Sequence, residues 1–232
     1  MKKVLITGSS SGLGLGMCDV FTQNDYQVFG ISRSKTPRNI KSVILDFANK
    51  DKVESVLSGL VNNHNFEYVI LNAGTIEPIK KAVDVTLDEL EYSFQINVGI
   101  SKQILDFLLK NKNKTKKVIA ISSGAAYKSY DGWITYCVTK AAFRQMISCY
   151  AVEHEDIHFV SIAPGVIKTK MQNYILGKDA TKFKSLSKFH NMYDILKGPK
   201  EISKKIFDNL DLCASLKSGS FIDLRNIPGK KI

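Results

Sequence analysis

Val4-Leu5-Ile6-Thr7-Gly8-Ser9-Ser10-Ser11-Gly12-Leu13-Gly14 is the stretch on which the fold turns. An aliphatic run ends in a segment with three glycines, and Leu13, Met17, Val20 and Phe21 then recur at steps of four, three and one. The run reads as a strand and the recurrence as one face of a helix. Glycines between the two let the backbone turn sharply and approach a ligand closely. The first turn of a helix presents unpaired N–H groups and a partial positive charge, which suits a pyrophosphate. A flexible Gly/Ser turn would have the same composition. The position between strand and helix is what favours a phosphate loop.

The same alternation continues outward. Val28 to Ile31, Val43 to Leu45, Tyr68 to Leu71, Val118 to Ile121, His158 to Ile162 and Phe221 to Leu224 are short apolar runs, suited to strands buried on both faces. Between them, Val53, Val56, Leu57 and Leu60 share a helix face. Leu87, Leu90, Phe94, Val98 and Ile104 to Leu109 predict one long helix, and Ala141 to Ala151 belongs to another. This predicts an α/β, doubly wound (Rossmann) sheet of about seven mostly parallel strands flanked by helices. No linker divides the 232 residues, so one domain over 1–232 is expected. In such sheets ligands bind beyond the carboxyl ends of the strands, and motifs there carry functional weight.

Composition removes several classes. No apolar run approaches the roughly 20 residues of a membrane span. The run after Met1-Lys2-Lys3 stops at Thr7-Gly8-Ser9, too short for an export segment. A cytoplasmic protein with no membrane partner is expected. Cys18, Cys137, Cys149 and Cys213 show no C-x-x-C spacing, so neither a metal site nor a disulfide framework is expected. Net charge is +11, with a dense run at Lys110, Lys112, Lys114, Lys116 and Lys117. No aromatic residues interleave with it as a stacking platform requires, so it reads as a solvated turn and no nucleic acid is expected.

Tyr136 and Lys140 are four apart, which puts them on one helix face. An ammonium near a phenol favours phenolate and lowers its pKa, giving an acid/base group. A surface Tyr and Lys would show the same spacing. Ser123 lies thirteen residues before Tyr136, just beyond the strand Val118 to Ile121. With the T-G-x-x-x-G-x-G spacing from Thr7, Asn72-Ala73-Gly74 at the end of strand four, Asn97 in a helix and Pro164-Gly165 before Thr169, the chain resembles the short-chain dehydrogenase/reductase family over about its first 170 residues. Ser122 is off that family's spacing by one and reads as structural.

The resemblance implies a carbonyl reductase with NADP(H) as cofactor and a small-molecule carbonyl substrate. Tyr136 would donate the proton. Lys140 would depress the tyrosine pKa and bond the nicotinamide ribose. Ser123 would hydrogen-bond the carbonyl oxygen, and Asn97 would support a water linking Lys140 to solvent. The cofactor site implied comprises Gly8, Ser10, Ser11, Gly12, Leu13 and Gly14, then Ser32 and Arg33, Asp46 and Phe47, Asn72, Ala73 and Gly74, Tyr136 and Lys140, and Pro164, Gly165, Ile167 and Thr169. Thr169 would contact the nicotinamide carboxamide. A dehydrogenase that prefers NAD carries a carboxylate at the end of strand two. Ser32 stands there instead, followed by Arg33, whose guanidinium suits a 2′-phosphate. Asp46 should meet the adenine edge.

The resemblance leaves a ketoacyl-thioester reductase or an alcohol dehydrogenase open as alternatives. A cofactor-sensing protein on the same fold is the alternative from another class. Residues 168–198 are expected to cover the substrate, through an apolar pocket or a packed lid, with Trp133 as a pocket wall. A homodimer or homotetramer is expected too. Phe94, Ile104, Leu108, Phe143 and Ile147 outnumber what one core face needs.

Overall fold

The structure is a computed structural model, and it describes residues 1–61 and 64–227. The rest of the expected domain, residues 62–63 and 228–232, lies outside the described residues. In chain order the elements are β1 (Lys3–Thr7), α1 (Gly12–Gln23), β2 (Gln27–Ser32), β3 (Lys41–Ile44), α2 (Val53–Val61), β4 (Tyr68–Leu71), α3 (Leu87–Phe94) and α4 (Ile100–Lys110). Then come β5 (Lys117–Ile121), α5 (Ile134–Glu153), β6 (His158–Ala163), α6 (Lys170–Leu176), α7 (Lys184–Asn191), α8 (Pro199–Phe207), α9 (Leu210–Ser215) and β7 (Ser220–Asp223).

The seven strands form one parallel sheet in the order β3-β2-β1-β4-β5-β6-β7. Strand order reverses at β1, so a crevice opens between the carboxyl ends of β1 and β4. Successive strand residues point to opposite faces. In β1, Leu5 joins the core layer under α2, α4 and α5, whereas Val4 and Ile6 join the layer under α1, α8 and α9. Each fully buried Leu, Ile or Phe of these layers contributes about 1.5–3 kcal/mol. The second layer has no space between α1 and α8: a Cβ on Gly16 would lie 2.6 Å from Ser203 Oγ and 2.9 Å from the Pro199 carbonyl oxygen.

Three sequence expectations change here. β3 is an edge strand, displaced from Val43–Leu45 to Lys41–Ile44, and Lys41, Ser42 and Ile44 are exposed rather than buried. An edge strand with a lysine at its start discourages pairing with another sheet. The expected long helix widens at Gln95–Gly99 into a single π turn between α3 and α4. Finally, Ile104, Leu108, Phe143 and Ile147 are all fully buried within this one chain. They are core residues, so no surplus apolar face among them argues for an oligomer.

Candidate active site

The glycine loop is shaped by close approach. Gly8 and Gly12 have φ of 71° and 54°, a region L side chains rarely adopt. A Cβ on Gly14 would lie 2.1 Å from the Gly8 carbonyl oxygen, and one on Gly8 would lie 2.8 Å from Asn72 Nδ2. Thr7 clamps the loop to the end of β4. Its Oγ1 accepts the N–H groups of Asn72 (2.9 Å) and Ala73 (3.0 Å), and its carbonyl accepts from Asn72 Nδ2 (2.9 Å). Asn72 and Ala73 are thus backbone-positioning residues, and Thr7 is the partner that motif spacing did not single out. Ser11 precedes α1 in an extended conformation. It makes no side-chain cap, and no acidic residue stands in the first turn. The N–H groups of that turn are left for an anion.

Beyond β2, short hydroxyls knit the loop to the next segment. Ser9 Oγ bonds Thr36 Oγ1 (2.8 Å) and Ser32 Oγ (3.3 Å); Ser32 Oγ donates to the Ser34 carbonyl (2.8 Å), and Ser34 Oγ to Ser10 Oγ (3.0 Å). Ser9, Ser32 and Thr36 are buried. Arg38 is held by Asp19 of α1 at 2.5 Å, while Arg33 is exposed and makes no hydrogen bond or ion pair among the described residues. Ser9 and Thr36 were not expected in this region. A hydroxyl network between loops has no sequence period to reveal it.

Phe47, in the expected cofactor set, follows Asp46 beyond β3. Its ring is buried in the core, and its carbonyl accepts from Gln95 Nε2 at 3.0 Å. Leu13 is likewise a core side chain, and its carbonyl accepts from Ser203 Oγ at 3.2 Å. Only their remaining backbone groups face the loop side. Asp46 is exposed and accepts the Ala48 N–H at 3.1 Å. Pro164 is buried at the end of β6, Gly165 follows with φ of 88°, and Ile167 packs on the core. Thr169 begins α6, and its methyl group would lie 3.5 Å from a Cβ on Gly12. The loop after β6 therefore faces the glycine loop.

Tyr136 and Lys140 lie on the first turns of α5, both buried. Lys140 Nζ donates to the Ile121 carbonyl at the end of β5 (2.9 Å) and lies 5.7 Å from the centroid of the Tyr136 ring. Ser123 sits one residue past Ser122, and its Oγ accepts the Ala125 N–H at 3.1 Å. Ser122 Oγ is buried and has no partner among the described residues. Asn97 occupies the π turn. Its Oδ1 accepts the Thr75 N–H (2.7 Å), and its Nδ2 donates to the Thr75 carbonyl (2.9 Å) and Thr139 Oγ1 (2.8 Å). A Cβ on Gly74 would lie 3.1 Å from Asn97 Oδ1 and 3.6 Å from Lys140 Nζ. Gly74, Asn97 and Lys140 therefore converge, and the capping box of Thr86 with Glu89 fixes the start of the helix leading to Asn97.

Burial acts on both Tyr136 and Lys140. Burial pushes the Tyr136 hydroxyl up to about 12, and its hydrogen bond with Ser123 opposes this only in part. Burial also brings the Lys140 ammonium down to about 8. Desolvation disfavours whichever form is charged. Desolvation is the largest influence on the tyrosine and on the lysine alike. The lysine's charge is the one that burial brings close to neutral pH.

Rings form the opposite wall. Trp133 stacks on Phe189 of α7 (centroids 4.7 Å apart, planes 28°) and meets Tyr136 edge-on at 5.9 Å. Tyr130 lies 4.9 Å from Trp133. Ile175, Leu186 and Phe189 are buried, and Met171, Tyr174, Phe183 and Met192 pack partly buried around them. Residues 168–198 thus cover Tyr136 with a packed apolar cluster.

A sequence profile described as short chain dehydrogenase matches residues 2–179. The chain belongs to the short-chain dehydrogenase family. It is an oxidoreductase of that family, whose members use nicotinamide cofactors and act on carbonyl and alcohol groups. This short-chain dehydrogenase is 31% identical to an uncharacterized oxidoreductase of Schizosaccharomyces pombe, over 98% of this chain and 92% of the relative. It is 27% identical to a benzil reductase ((S)-benzoin forming) of Bacillus subtilis, over 97% and 99%. The crystal structure of a short chain dehydrogenase/reductase from Saccharomyces cerevisiae shares its fold, with a TM-score of 0.85 at 22% identity over 98% of this chain and 97% of that one. Among the described residues no helix is long and apolar enough to cross a membrane.

Proposed function

We propose that this short-chain dehydrogenase is a single-domain, NADPH-dependent reductase of ketones, with Tyr136 as the proton donor. The observation that carries the reading is the buried Tyr136 on the first turn of α5, with Lys140 Nζ 5.7 Å from its ring and Lys140 tied to the Ile121 carbonyl at the carboxyl end of β5. A phenol held near 12 keeps its proton at neutral pH, which is the form a donor to a carbonyl oxygen requires. The bound cofactor supplies the hydride.

The chain's own groups account for the rest. Ser123 hydrogen-bonds the substrate oxygen and stabilises the negative charge that develops there. Tyr136 delivers its proton to that oxygen, completing an alcohol, and Lys140 as an ammonium stabilises the phenolate left behind. Asn97 holds the Thr75 backbone and α5 in register and supports the route by which Lys140 is reprotonated. The uncapped first turn of α1 and the tight turn that Gly8, Gly12 and Gly14 permit fit a pyrophosphate. Ser10, Ser11, Asn72, Ala73, Gly74, Pro164, Gly165, Ile167 and Thr169 complete the cofactor side. Ser32 where an acidic residue would repel a 2′-phosphate, with Arg33 beside it unpaired among the described residues, supports NADPH over NADH.

The stacked Trp133 and Phe189 beside Tyr136 suit a planar aromatic ketone, and the Bacillus subtilis relative is named for benzil. NADPH oxidation with diketones, quinones, aldehydes, ketoacyl thioesters and pterins tests the reading. We expect turnover with aromatic diketones and an affinity for NADPH at least roughly tenfold above that for NADH, about 1.4 kcal/mol. Cofactor binding without turnover on any member of the panel would favour a cofactor sensor instead. Equal dissociation constants for the two cofactors would reject the NADPH assignment. We also propose the homodimer or homotetramer that family membership suggests, and light scattering showing only a 25.9 kDa species would refute it.

A further inference from the structure

One cation on the substrate side was not singled out by any motif. Arg225 follows β7, and its side chain crosses the carboxyl edge of the sheet. A Cβ on Gly124, the residue after Ser123, would lie 3.6 Å from Arg225 Nη2. One on Gly165, the residue after Pro164, would lie 3.5 Å from Arg225 Cδ. Its charge also acts on the Tyr130 hydroxyl, and Tyr130 packs on Trp133 and Phe189. The loops after β5 and β6 therefore both meet this side chain, Gly124 at the guanidinium and Gly165 at its aliphatic stem.

The guanidinium is held rigidly. Asp223 grips it through Nε (2.9 Å) and Nη2 (2.5 Å), and the same carboxylate accepts the Arg225 backbone N–H at 3.0 Å. Such a paired grip fixes the plane of the group. Arginine carries five N–H donors, and Asp223 takes two of them. The other three have no partner among the described residues, and the side chain is 42% exposed. The pair is neutral as a whole, so it offers donors to a neutral acceptor without a net charge to attract an anion.

We propose that Arg225, clamped by Asp223, donates a hydrogen bond to a second, neutral carbonyl oxygen adjacent to the reacting one and thereby selects 1,2-dicarbonyl compounds over mono-ketones. This rests on the reductase reading above. The reacting oxygen is taken by Ser123 and Tyr136, and its neighbour on the next carbon turns toward the Gly124 and Gly165 side, where Arg225 lies. A hydrogen bond from a charged donor contributes enough for about a tenfold preference or more.

The substrates that decide it are benzil and deoxybenzoin, which share one skeleton and differ by a C=O replaced with CH2. The unmodified protein should have a kcat/KM for benzil at least about tenfold above that for deoxybenzoin. Arg225→Gln should lower that ratio by about tenfold, chiefly through the KM for benzil, and Arg225→Lys should restore part of it. Asp223→Asn leaves the cation uncompensated, so activity on the anionic keto acid phenylglyoxylate should rise relative to benzil. Unfolding temperatures of the three variants separate a general loss of structure from a change of selectivity. Equal fractional losses on benzil and deoxybenzoin in Arg225→Gln would overturn the inference. So would equal use of both ketones by the unmodified protein, which leaves the reductase reading intact. Binding of NADPH with reduction of neither ketone would overturn the inference, and failure on every other carbonyl of the panel as well would overturn both.

Discussion

Around the glycine loop, the groups on hand are backbone N–H groups and short hydroxyls, tied together by hydrogen bonds between the ends of β1, β2 and β4. On the far side, beyond β5, β6 and β7, they are the rings of Tyr130, Trp133 and Phe189 and the guanidinium of Arg225. The first side is tight enough that one added methyl at Gly14 would collide with backbone at 2.1 Å. The second side is built of large side chains. This difference assigns the two sides separate tasks. A fixed backbone cradle holds a constant ligand such as a dinucleotide, and a wall of exchangeable side chains sets which carbonyl compound is accepted. Tyr136 stands between them.

The largest effect should come at that junction. Tyr136→Phe removes the proton donor and keeps the ring, so kcat should fall on the order of 10²–10⁴-fold while NADPH affinity, measured by fluorescence titration, stays within about threefold. Retention of most of the turnover would remove Tyr136 from the mechanism. On the cradle side, Gly14→Ala forces the loop away from Gly8. Loss of about 1–3 kcal/mol of stability, read by chemical denaturation, and weakened binding of both cofactors are expected. A variant as stable as the unmodified protein with full cofactor affinity would mean that the cradle is not rigid.

Arg33→Ala should weaken NADPH by roughly tenfold and NADH far less, because only the 2′-phosphate needs a guanidinium. Parallel losses for the two cofactors would show that Arg33 does not recognise the 2′-phosphate. The smallest effect is a pH profile. Lys140 is an ammonium below about 8 and neutral above it, whereas Tyr136 keeps its proton up to about 12. The kcat/KM for reduction should therefore decline as pH rises through about 8, from loss of the lysine charge, before any loss of the tyrosine proton. A profile flat to pH 10 would show that the lysine charge does not assist the step.

The sequence alone was enough for the alternation of strands and helices, for the glycine loop between β1 and α1, and for Ser123, Tyr136 and Lys140 as a group. These features are local. A glycine's backbone freedom, a four-residue helical step and an apolar strand buried on both faces are imposed by neighbours within a few residues. Tertiary structure decided the rest. It made Phe47, Leu13, Ile104 and Phe143 core residues, because burial depends on which face of the sheet an element packs against. It left β3 exposed, because only position in the strand order makes an edge. It buried Tyr136 and Lys140, and desolvation then pushes the phenol up and the ammonium down, which no spacing along the chain reveals. And it brought Arg225 from the end of the last strand to Gly124 and Gly165, a meeting that follows from three parallel strands lying side by side and from no spacing along the chain.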